Sequence, residues 1–138
     1  MGVSLVLSGV MFFVRLLNYI SNAMTSKKSK FKVLHLWDAV YLTNLYVCYG
    51  WPKKNFTEAL KNNDVECYTK LRQGIAILDN DDNVWIWTLK KDIPNLVHEA
   101  VHAAEYVLLD RGLEFRDETS EAFAYYVAMV VRETLRKR

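Results

Sequence analysis

A chain of 138 residues has room for one domain and not for a second. Its residues are 51% apolar and 25% charged, a balance that excludes a disordered or fibrous chain and supplies one core without disulfide help. The formal charge of +2 is too small to argue for a nucleic-acid partner. Most of the excess sits in two short runs, Lys27, Lys28 and Lys30 near the start and Arg136 to Arg138 at the end, which read as solvated tails. Cys48 and Cys67 form no CxxC pair and lie far from the histidines. Two reduced thiols are expected, with a single disulfide as the alternative.

Residues 1–23 stand apart. Val3 to Val14 is mostly apolar, Arg15 interrupts it, and Val3 to Ile20 is barely long enough to cross a bilayer. A basic n-region is missing, although Ser21-Asn22-Ala23 would suit a small-residue cleavage site. Ser-Asn-Ala before Met24 also matches the scar of a cleavable expression tag, and Met24-Thr25-Ser26-Lys27-Lys28 reads as a cytosolic start. We therefore read 1–23 as a tag-derived or mis-start segment, ahead of a signal or anchor and of a packing helix, and assign the domain to 24–138.

Within that domain, 24–30 is polar. Val33 to Tyr49 is rich in Val, Leu, Tyr and Trp and predicts a strand ended by Gly50-Trp51-Pro52. Asn55 followed by Glu58 resembles a capping box and predicts a short helix over Phe56 to Asn62. Ile75 to Leu78 and Val84 to Leu89 are apolar runs around Asp79-Asn80-Asp81-Asp82-Asn83. That acidic segment lacks the Gly and distal Glu of a calcium loop, so it predicts a hairpin turn. Asp92, with Pro94 in the opening turn, should cap a long helix whose Val97, Val101, Ala104 and Leu108 face the core. Gly112 should end it, with Leu113 making the usual hydrophobic contact. Asp117 or Thr119 then caps a second helix through Phe123, Val127 and Val130 to about Leu135. The order predicts an α+β fold.

The first long helix carries His98-Glu99-Ala100-Val101-His102, an HExxH pattern. Four residues advance a helix by about 6 Å and slightly more than one turn, so both imidazoles leave one face and can reach a single Zn²⁺. Glu99, one step around, is placed to hold a water and take its proton. A catalytic zinc needs a third protein ligand, and no histidine follows His102. Glu121, in the first turn of the second helix, is the preferred carboxylate. Glu105 is the rival, read as a partner that orients a histidine; Asp117 and Glu118 are weaker rivals. His35, on an apolar stretch, is read as structural.

His98-Glu99-x-x-His102 followed by Ser120-Glu121-Ala122-Phe123-Ala124 resembles the gluzincin metallopeptidases, especially the short zincin-like domains encoded by bacteriophages and prophages. The likeness covers roughly Gly74 to Leu135. It implies a small zincin-like α+β domain, a short antiparallel or mixed sheet packed on two long helices. It further implies His98, His102 and Glu121 as zinc ligands, Glu99 as general base, and Val84 to Leu89 as a strand whose edge takes an extended peptide. Tyr125, on the face of Glu121, would stabilise an oxyanion or support the ligand. The expected function is hydrolysis of a peptide bond by a metal-activated water, on a protein or peptide substrate. The location would be the cytoplasm of a bacterial host, with neither nucleic acid nor membrane as a partner. A non-catalytic zincin-like interaction protein and a membrane-tethered metalloprotein using 1–20 are the alternatives.

Overall fold

The computed structural model describes residues 31–137, so every reading of the leader lies outside the described residues. These residues form one small α+β domain of four strands and three helices. The first apolar stretch is not one strand. It is a hairpin, β1 (Leu34–Asp38) and β2 (Thr43–Tyr49), paired antiparallel. Asp38 makes the break, because its carboxylate accepts the Val40 and Tyr41 backbone N–H groups and turns the chain within four residues. The next helix, α1 (Lys53–Asn62), starts before the expected Asn55. Pro52 sits at its N-cap and no side chain caps it, so the predicted capping box does not form.

β3 (Gly74–Leu78) and β4 (Val84–Thr88) form the predicted hairpin. Asp79 organises its turn by accepting the backbone N–H groups of Asp81 and Asn83, the Asn83 amide, and the Trp85 indole N–H at 3.0 Å. The sheet order is β1-β2-β4-β3, with β2 and β4 parallel. This corrects an expectation. Val84 to Thr88 is an interior strand, paired on both sides and buried along its whole length, so it offers no edge to a peptide. The continuous Val-Trp-Ile-Trp-Thr run is the mark of a strand covered on both faces. Among the described residues, the free edge beside it belongs to β3.

One face of the sheet, through Leu45, Val47, Ala76, Val84 and Ile86, packs on the two long helices, α2 (Ile93–Asp110) and α3 (Ser120–Arg136). The other face, through Cys48, Trp85 and Trp87, packs on Phe56 and Leu60 of α1, with the Phe56 and Trp87 rings stacked at 5.2 Å. Asp92 caps α2 by accepting the Asn95 N–H at 2.9 Å, an interaction worth about 1 kcal/mol. Gly112 ends it at φ +76, and the Leu113 N–H returns to the Leu108 carbonyl.

The buried stripe of α2 is Leu96, Glu99, Ala100, Ala103, Ala104, Val107 and Leu108. Val97 and Val101, expected in the core, are exposed, because the helix packs through its alanines and turns those two aside. No helix among the described residues is long and apolar enough to cross a membrane.

Candidate metal centre

His98, Glu99 and His102 all lie on α2, which opens at the Asp92 cap and runs unbroken past them. Their potential ligand atoms fall within 4.8 Å of one another. The two imidazoles stand nearly perpendicular, at 79°, with ring centroids 4.8 Å apart. Their Nε2 atoms approach to 3.2 Å.

The other nitrogen of His102, Nδ1, lies 3.3 Å from the Glu105 carboxylate. A carboxylate only accepts, so Nδ1 is the nitrogen that donates to it, and the tautomer with its hydrogen there leaves Nε2 as the lone-pair nitrogen facing His98. Two nitrogens aimed at one point repel unless a proton or a cation lies between them. Tetrahedral Zn²⁺ with bonds of about 2.0–2.1 Å holds neighbouring ligand atoms roughly 3.3–3.4 Å apart. The observed separation is close to that chord and equally that of an N–H···N hydrogen bond between the rings, so these residues could hold the ion.

Glu99 differs from the histidines in being buried. Its side chain reaches from α2 toward β3, so close to Gly74 that a Cβ there would lie 2.7 Å from Oε1. Burial raises its pKa above the ordinary carboxylate value, opposed by the nearby His98 and His102 and by the Ala76 backbone amide. A carboxylate held this way binds a proton more readily than one in water, which suits a base.

The Ala76 amide is free to face Glu99 because β3 is an edge strand. The Gln73 carbonyl accepts the Leu89 N–H, so the antiparallel alternation points the amides and carbonyls of Gly74, Ala76 and Leu78 away from β4.

Glu121 is not brought to this cluster. The three-residue group omits Glu121, which is exposed in the first turn of α3, and Tyr125 is 73% exposed. Both project from the side of α3 opposite its buried stripe of Phe123, Tyr126, Val130 and Thr134. Asp117 and Glu118 are exposed in the connection before α3. Glu105 takes the orienting position expected of it. His35 is structural, stacked on Tyr46 at 5.0 Å and paired with Asn44 at 2.7 Å. Cys48 and Cys67 are both free thiols.

Reasoning from sequence missed Gly74 and Ala76, whose part depends on the strand order. The only available signal was a glycine opening an apolar run before the HExxH helix. No family model, no curated protein and no solved structure matches the chain.

Proposed function

We propose that this protein is a zinc-dependent peptidase of the zincin type, with His98 and His102 as its nitrogen ligands and Glu99 as its general base. The observation that carries the reading is the approach of the two Nε2 atoms to 3.2 Å beside a buried glutamate at a free sheet edge. A bound zinc would supply Lewis acidity to the scissile carbonyl and to the attacking water.

The remaining work falls to side chains and backbone. Glu99 accepts a proton from the attacking water at its carboxylate and hands it to the departing amine nitrogen. The nearby Ala76 amide favours the charged form of that carboxylate. Glu105 fixes the His102 ring so that Nε2 stays aimed inward. The β3 edge, in place of β4, aligns an extended peptide. Glu121, the third ligand that the gluzincin resemblance implies, lies outside the three-residue cluster.

The test compares zinc-loaded wild type with Glu99→Gln on quenched fluorescent peptide pools and on an unfolded protein such as casein. The amide keeps the shape but cannot take the proton, so hydrolysis should fall on the order of a hundredfold or more with zinc content unchanged. Equal hydrolysis by both proteins would exclude Glu99 as the base.

The second reading is a non-catalytic binding module. It is favoured by one observation, that Glu121 lies outside the cluster and leaves two nitrogen donors. On that reading neither protein cleaves, and Glu99→Gln keeps the full biological effect.

A further inference from the structure

Beside the cluster lies a cleft of about 340 Å³, bounded by β3 on one side and by the 64–69 segment after α1 on the other, with Tyr106 of α2 also in its lining. Ala76 belongs to both places, since its amide faces Glu99 and the residue lines the cleft. Tyr106 sits one helical turn beyond His102. The cleft thus meets the candidate site at Ala76 and follows β3 away from it, with none of His98, Glu99 and His102 in its lining.

Among the described residues, every charged side chain in its lining is an acid: Asp64, Glu66 and Asp79. The Asp79 carboxylate is committed to its turn. Asp64 and Glu66 are exposed, and neither forms an ion pair among the described residues. Between them Val65 is buried in the α1 core, its N–H bonded to the Leu60 carbonyl at 2.9 Å. That anchor fixes the two acids at the rim. Tyr68 and Tyr106 add aromatic surface, which together with carboxylates suits a cationic side chain.

We propose that this cleft selects an extended peptide segment bearing lysine or arginine, added as a strand to the β3 edge. The cleavage part of this claim rests on the peptidase reading above; the binding part does not. Glu99 faces Gly74 and Ala76, and the cleft continues past Leu78 to Asp79 and Asn80. A peptide running antiparallel to β3 therefore enters the cleft with the residues on the N-terminal side of the bond to be cut.

The test uses two quenched peptide pools, one with Lys or Arg and one with Glu or Asp N-terminal to a common central sequence. Wild type and an Asp64→Asn/Glu66→Gln double variant are assayed at low salt and at about 0.5 M NaCl, where charge pairing is screened. Wild type should prefer the basic pool roughly tenfold in kcat/KM, mainly through KM, as expected for two rim carboxylates with aromatic support. The double variant should lose that preference while keeping its zinc and its melting temperature, and high salt should weaken it in wild type.

Equal cleavage of the two pools, or a preference unchanged in the double variant, overturns the proposal and leaves the peptidase reading standing. If neither pool is cut, anisotropy of the labelled basic and acidic peptides decides. Tighter binding of the basic peptide, lost in the double variant, supports the cleft and counts against the peptidase. Binding of neither, or of both alike, overturns the cleft.

Discussion

Glu105 and Glu121 divide the question of how the proposed zinc would be held. Glu105 touches His102 Nδ1, so its removal frees a ring without removing a ligand. Glu105→Ala should weaken zinc binding roughly 10–100-fold, the usual cost of losing a partner that orients a ligand. If Glu121 is the third ligand, Glu121→Ala should cost more than that. Competitive chelator titration, with a thermal melt to confirm folding, ranks the two. A larger loss for Glu105→Ala would remove Glu121 from the site, and the gluzincin ligand pattern with it. The histidines and Glu99 were readable from sequence because i, i+4 spacing on a helix is local geometry. So was Glu105, three residues on from His102. The position of Glu121 was not, since it depends on which face α3 buries, and its Phe123, Tyr126 and Val130 stripe turns Glu121 outward.

At the scale of elements, the close contact between β3 and α2 rests on Gly74. A Cβ there would lie 2.7 Å from Glu99 Oε1, 3.0 Å from Glu99 Cγ and 3.0 Å from the Trp87 carbonyl. The Trp87 carbonyl belongs to the sheet and cannot yield cheaply, so the glutamate moves. Gly74→Ala should therefore lower kcat by at least about tenfold while zinc binding through His98 and His102 persists. Unchanged kcat would show that Glu99 need not sit against the strand. Element boundaries were harder to read than the motif. The Ala39-Val40-Tyr41-Leu42 turn contains no Gly, Pro or Asn, and only the Asp38 carboxylate explains it. The core stripe of α2 was read in part: Ala104 and Leu108 are buried as expected, whereas Ala100 and Ala103 carry a weaker apolar signal than the exposed Val97 and Val101.

Over the whole molecule, one sheet separates two cores of different character: an aliphatic one under α2 and α3, and an aromatic one under α1. That α+β layering was legible in the order of elements. The interior place of β4 was not, because it depends on a parallel pairing with β2 across a long stretch of chain. The same layering sets thiol chemistry. Cys48 is sealed in the aromatic core and its thiol pKa is pushed up to about 12 by burial, whereas Cys67 is partly exposed. Native protein at about pH 8 should take up one iodoacetamide per chain, at Cys67, and two only after denaturation. Rapid native labelling of Cys48 would mean that the aromatic core opens.

The central claim, that α2 holds a zinc ion between His98 and His102, is tested most directly by metal analysis of protein purified without chelator. Wild type should carry about one zinc per chain and His98→Ala close to none, with the variant still folded. Zinc near zero in wild type, with no uptake on titration under reducing conditions, would contradict the account.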